Sequence, residues 1–199
     1  MKFLLLMSLL LIFAACNQTT SNSNLIQMPI KDTAMSDYSP TFEKANPIAK
    51  TIMKDSFYFD VVEEASPFGS DDGADTYASF KDWRSSHRNG NPKTFLSNQI
   101  EEWGYPKFDI YETKLEILKP YLEQDELNIQ FMTGIDEAIS SIAFGQLYLE
   151  GAIDPEFKEL TKISLTRELI PEILDLWGDY KTRRQRILQK MMEDLELVK

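Results

Sequence analysis

The chain has 199 residues, of which 43% are hydrophobic and 27% are charged. This composition excludes a disordered, collagen-like or disulfide-rich protein and is typical of one globular domain. The formal net charge of −11 disfavours binding to nucleic acid, and it either keeps the domain soluble or favours a basic protein partner. With one histidine and one cysteine, a zinc site of several His or Cys ligands is excluded, and we expect no metal and no cofactor.

The N-terminal residues are similar to a bacterial lipoprotein signal peptide. A lysine precedes an apolar run that ends at Phe13, and two alanines then lead to Cys16. The run is too short to span a bilayer. The resemblance implies that residues 1–15 are removed and that Cys16 is the lipid attachment site, which anchors the protein to a membrane of the bacterial cell envelope. Asn17 follows the cysteine, and this favours the periplasmic face of the outer membrane if the cell is Gram-negative.

The rest of the chain divides into a tether and a domain. Residues 16–49 are polar or irregular and predict a flexible tether, since a coil of about 28 residues spans roughly 30 Å. Residues 50–199 carry apolar positions at helical spacing. They predict a mainly α, compact single domain, a helical bundle of about five to six helices, with at most a short extended segment near residues 56–62.

The helices are predicted from their start and stop signals. Capping-box spacing places Asp72, Asp109 and Thr133 at helix starts, and proline favours starts at Pro92 and after Asp154. Glycine predicts stops at Gly104 and Gly151, and Pro171 predicts a break. A single long helix is expected to run from there to the C terminus.

Residues 66–84 contain the densest acidic cluster of the chain, which consists of three aspartates. An aromatic helix face is predicted directly after it. We take Asp71, Asp72, Asp75 and Arg84 as candidate partner-binding residues. Calcium is the alternative ligand for the aspartates, but their spacing does not fit an EF-hand. The basic residues at 181–186 are interpreted as the solvated face of the last helix.

The sequence contains few candidate catalytic residues. If Cys16 carries lipid, no thiol remains to pair with His87, and no Gly-x-Ser-x-Gly elbow presents a serine nucleophile. His87 lies among small polar and basic residues and is expected in an exposed loop. No catalytic residue is therefore assigned.

Two segments resemble the YfeS-like family of small bacterial proteins. The first is Ser-Pro-Phe-Gly-Ser-Asp-Asp-Gly-Ala-Asp at residues 66–75, with Trp83 after it, and the second is Ala-Phe-Gly-Gln-Leu-Tyr-Leu-Glu-Gly-Ala-Ile-Asp at residues 143–154, leading to Arg167. The resemblance covers about residues 56–170. It implies no activity, because the family is functionally uncharacterised, and the lipoprotein leader departs from its plain form.

Two hypotheses of function follow from the sequence. The first is a lipid-anchored envelope protein that acts as a non-enzymatic protein-binding domain, including the case of an immunity protein that neutralises a toxin. The second is an envelope hydrolase that uses the carboxylates around residues 71–75. An acidic body, a long tether and the scarcity of catalytic residues favour the first.

Overall fold

The computed structural model describes residues 39–199. The predicted signal peptide, the lipid attachment site at Cys16 and the greater part of the predicted tether lie outside the described residues. Within residues 39–199 no helix is both long and apolar enough to cross a membrane.

The predicted mainly α fold is confirmed, and no described residue lies in a β-strand. Six of the described α-helices have eight residues or more, and three short 3-10 segments lie at Phe42–Lys44, Ser56–Phe59 and Asp175–Tyr180. The α-helices are α1 (Pro47–Ile52), α2 (Asp71–Ser86), α3 (Pro92–Trp103), α4 (Leu115–Leu122), α5 (Asn128–Glu150), α6 (Pro155–Glu168), α7 (Pro171–Leu174) and α8 (Lys181–Leu197).

Helix α5 is the centre of the bundle. Its residues from Ile135 to Leu147 are buried around the whole circumference except at one position, as expected for a helix in a core. Helices α2 and α6 pack along it, and α3 and α4 also contact it. A main cluster of buried apolar side chains joins α5 to α2, α3, α6 and α8.

Several predicted helix boundaries are confirmed. The Asn91 side chain accepts a hydrogen bond from the Lys93 amide, and the Asp154 carboxylate accepts from two amides at the start of α6. At the other ends, Gly104 and Gly151 adopt positive φ angles and stop α3 and α5. These signals succeed because both ends of a helix are satisfied by neighbouring residues.

The three predicted capping boxes are wrong. Ser70 caps α2, its hydroxyl accepting from the Gly73 amide at 3.1 Å, so Asp72 lies inside the first turn. Thr133 lies within α5, and α4 begins at Leu115 rather than after Asp109. A nearer cap overrides the pattern at Asp72 and a longer packed helix overrides it at Thr133, whereas the Asp109 carboxylate accepts from the Tyr111 amide in a turn before α4.

The structure also differs from the sequence predictions in three other segments. The segment near residues 56–62 forms a 3-10 turn, because Tyr58 turns inward and its hydroxyl donates to the buried Asp194 at 2.8 Å. The expected single C-terminal helix divides at Gly178, whose φ of 50° and ψ of −126° are not helical. Ala45 and Ala49 are buried in the core, so the described body begins inside the segment assigned to the tether.

Candidate functional site

The loop before α2 fixes the position of the acidic cluster. The Ser66 hydroxyl accepts from the Phe68 amide at 3.2 Å, and the chain then passes so close to the Glu63 carbonyl that a Cβ atom on Gly69 would overlap it. Only glycine fits such an approach. Together with the Ser70 cap, these contacts hold the first turn of α2 in one orientation.

The three aspartates point in two directions. Asp71 and Asp75 are one turn apart on the same exposed face of α2, and neither carboxylate has a partner among the described residues. Asp72 is half-buried on another face, where it accepts from the Tyr105 hydroxyl at 3.3 Å and lies against Gly134 of α5. Burial raises the pKa of the Asp72 carboxyl, and the two neighbouring aspartates add to that shift.

Asp71 and Asp75 stand at the edge of a cleft of about 570 Å³. We call this the acidic cleft. Most of its lining is apolar or aromatic and comes from the chain before α1, from the loop before α2 and from α2 itself. The lining residues are Ser39, Pro40, Val61, Phe68, Gly69, Asp71, Ala74, Asp75, Tyr77 and Ala78.

The floor of the acidic cleft is rigid and aromatic. Phe68 and Tyr77 are both buried, and their ring centroids lie 4.8 Å apart. Burial raises the pKa of Tyr77, and the neighbouring Tyr148 reinforces the shift. Tyr77 is therefore neutral at physiological pH, and Asp71 and Asp75 are the acidic residues of the cleft lining.

Arg84 lies elsewhere on α2. It is 7% exposed and forms an ion pair with Glu150, with 2.8 Å between Nε and Oε1. Its Nη1 group donates to the Gly90 carbonyl at 2.7 Å. Arg84 is not part of the acidic cleft. It joins the end of α2 to the end of α5 and to the loop that follows α2. Its predicted role in partner binding is separate from that of the aspartates.

His87 is exposed, as expected. Its ring stacks on Trp83 with 4.9 Å between centroids and an interplanar angle of 8°. Its Nδ1 atom lies 3.0 Å from both the Trp83 carbonyl and the Ser86 hydroxyl. Among residues 39–199, no group of three or more histidine, cysteine, aspartate or glutamate side chains could hold a metal ion.

Two buried arginines were missed by the sequence analysis. Arg167 is fully buried and makes a two-pronged ion pair with the equally buried Asp136 of α5. Arg184, interpreted as part of a solvated face, is 1% exposed and pairs with Glu168 and with Glu137, the latter at 3.1 Å. Helical spacing was the available signal, because Arg184 lies on the same stripe as Ile187, Leu188 and Met191.

Two carboxyl groups in these ion pairs have raised pKa values. Burial raises the pKa of Glu137 to about 7, against the opposing effect of Arg184. Burial also raises the pKa of Asp136, and the Arg167 guanidinium works against that shift. The ion pairs tie α5 to α6 and α8 and do not line the acidic cleft.

A search for similar proteins gives one informative relative. The chain is 30% identical over 142 residues to the Uncharacterized protein YfeS of Escherichia coli strain K12, an alignment that covers 71% of this chain. The chain is a YfeS-like protein. The alignment spans 56% of the length of that relative. No family model matches the chain, and no solved structure matches it.

The two YfeS-like segments pack against each other. The first contains the start of α2 and the second the end of α5, and the ring centroids of Phe68 and Tyr148, one from each segment, lie 6.4 Å apart. Just before the second segment, the Ser141 hydroxyl donates to the Gly73 carbonyl at 2.6 Å. At the end of the second segment, the Gln146 side chain accepts from the Asp154 amide at 2.9 Å. The pattern that carries the YfeS-like resemblance therefore has a structural role at the α2–α5 contact, and it leaves Asp71 and Asp75 on the open side.

Proposed function

We propose that this protein is a lipid-anchored component of the bacterial cell envelope and a non-enzymatic protein-binding domain whose contact surface is the acidic cleft. The observation that carries the proposal is the pair of unpartnered, exposed carboxylates of Asp71 and Asp75 above an apolar floor. Such a surface complements a lysine or arginine side chain, because the stem of that side chain packs on apolar groups while its charged end meets the carboxylates.

The charge of the whole chain supports a basic partner. A net charge of −11 attracts a positively charged protein and accelerates its encounter, an effect that salt weakens. Val61 and Ala74, which are exposed and also line the cleft, offer apolar area that a partner can bury. An immunity protein that neutralises a basic toxin by covering it would use the cleft in this way.

The proposal is tested by capture from envelope extract with matched variants. The test protein carries Asp71→Asn and Asp75→Asn. The control carries Glu123→Gln and Glu126→Gln, which remove the same charge from exposed residues outside the cleft. We expect the wild-type protein and the control to recover the same basic protein at low salt, less of it at moderate salt, and the test protein to lose it.

Three outcomes would contradict the proposal. If no protein is recovered at either salt concentration, or if both double variants recover it equally, the cleft is not the contact surface. If the aspartate changes instead abolish a hydrolytic activity of a protein whose fold and melting temperature are unchanged, the enzyme hypothesis replaces this one.

A further inference from the structure

A second cleft lies on another part of the bundle and has a different character. Its volume is about 360 Å³, and helices α3, α5 and α6 and the loop after α3 surround it. Apolar side chains form most of its lining, and we call it the lysine cleft because of its polar rim. The apolar lining consists of Leu96, Ile100, Phe108, Ile110, Ile135 and Leu160.

The loop that walls the lysine cleft is held in place by a buried arginine. The Arg167 guanidinium donates to the Ile110 carbonyl at 3.0 Å and to the Glu112 carbonyl at 2.7 Å. It also lies over the Phe108 ring, 5.0 Å from the centroid. Since Arg167 is itself fixed by Asp136, the wall is preformed, as is usual for small-molecule sites.

The rim of the lysine cleft has a cationic end. Lys93 lies in the first turn of α3, where the helix dipole is positive, and its Nζ atom is 5.7 Å from the centre of the Tyr111 ring. Both residues line the cleft, as does Glu101 further along α3. Glu101 follows Lys93 by eight positions along the helix, which places their backbones about 12 Å apart. Lys107, another lining residue, follows α3 and has no partner among the described residues.

We propose that the lysine cleft binds a small amphipathic anion: an acyl chain of medium length lies on the apolar floor, and its carboxylate or phosphate head group meets Lys93 and the Tyr111 hydroxyl. This is a charge-complementary site on an otherwise acidic protein. Its volume falls in the range of small-molecule pockets, about 300–1,000 Å³. The inference is independent of the function proposed for the acidic cleft.

The acidic residues at the rim set the orientation of the ligand. Lys93 Nζ lies 2.9 Å from Glu156, whose side chain is 72% exposed. An exposed pair of this kind contributes little, so the head group can share or replace Glu156 as the partner of Lys93. Glu101 repels an anion where α3 ends, whereas Lys93 adds its charge to the positive start of α3 and lies beside Tyr111, so the Lys93 end is the favoured position for the head group.

Isothermal titration calorimetry on the full chain carrying Cys16→Ser, which cannot be acylated, tests this inference. The probes are decanoate, decyl phosphate and decanol below their critical micelle concentrations. We expect the two anions to bind about tenfold more tightly than decanol, in line with one charged hydrogen bond at a partly exposed site. Whichever of decanoate and decyl phosphate binds more tightly identifies the preferred head group.

Three variants locate the site. Lys93→Gln should weaken decanoate binding by about tenfold, whereas Lys119→Gln, which removes the same charge from an exposed residue of α4 outside the cleft, should leave it unchanged. Ser97→Trp fills the cleft from an exposed lining position and should abolish binding of all three probes, with circular dichroism to confirm the fold. The inference is overturned if decanoate does not bind saturably, if decanol binds equally well, or if the folded Ser97→Trp protein binds decanoate normally.

Discussion

Replacement of Arg167 by methionine provides a quantitative test of the account of the core. The change keeps most of the side-chain volume but leaves Asp136, which is 0% exposed, without its cation. It also leaves the Ile110 and Glu112 carbonyls without their arginine donor. Removal of one partner from a buried ion pair typically costs about 3–5 kcal/mol of folding free energy. We expect a loss in this range for Arg167→Met.

Urea denaturation measures the loss. With a slope of about 2 kcal/mol per molar urea for a domain of this size, the unfolding midpoint should fall by about 2 M. The control is Lys181→Met, which also breaks an ion pair, with Asp175, but one in which both side chains are exposed, at 36% and 64%. That change should cost about 1 kcal/mol or less.

The pH dependence of the loss provides a second measurement. Without Arg167, the folded protein favours the protonated form of Asp136, so the pKa of this carboxyl in the folded state rises further above the unfolded value of about 3.9. The folded state then binds more protons than the unfolded state, and stability falls as pH rises between those two pKa values. The deficit of Arg167→Met should therefore be smaller at pH 5 than at pH 8. A loss no larger than that of Lys181→Met, or one that does not change with pH, would refute the reasoning.

Three further predictions concern other parts of the chain. Gly69→Ala should destabilise the domain by about 1–3 kcal/mol in thermal unfolding, because its Cβ would overlap the Glu63 carbonyl; an unchanged melting temperature would contradict this account of the loop. The raised pKa of Glu137, about 7, predicts that stability falls as pH increases from about 4.3, the unfolded value, to about 7; Glu137→Gln should flatten this slope, and an unaltered slope would show that another group is responsible. Mass spectrometry of the mature protein should find a lipid-modified Cys16 at the N terminus, and an unmodified cysteine would exclude the anchor.

The sequence predicts helix ends well where the signal is local. Asn91, Asp154 and the two stop glycines each act on neighbouring amides or on their own backbone, so one stretch of sequence contains all the information. Asp72 shows how a local pattern misleads, because Ser70 offers an equivalent cap two residues earlier. Once Ser70 starts the helix, Asp72 turns away from Asp71 and Asp75 by the helical rotation per residue and meets Tyr105 instead.

Long-range contacts are the part that local patterns do not predict. Charged side chains are rarely fully buried, so the positions of Arg167 and Arg184 depend on acids contributed by other helices. The acidic cleft is a similar case: its two carboxylates could be placed on one helix face from their spacing, but its lining joins residues near positions 40, 61 and 68. No pattern within one segment brings these residues together.

Site-specific photo-crosslinking in living cells tests the central claim most directly. A photoreactive amino acid replaces Ala74, an exposed residue of the acidic cleft, while the same amino acid at Glu126 serves as the control outside it. We expect position 74 to capture one basic protein, position 126 to capture none, and Asp71→Asn with Asp75→Asn to remove the crosslink. Equal capture from both positions, or no capture from position 74 in cells that produce the protein normally, would contradict it.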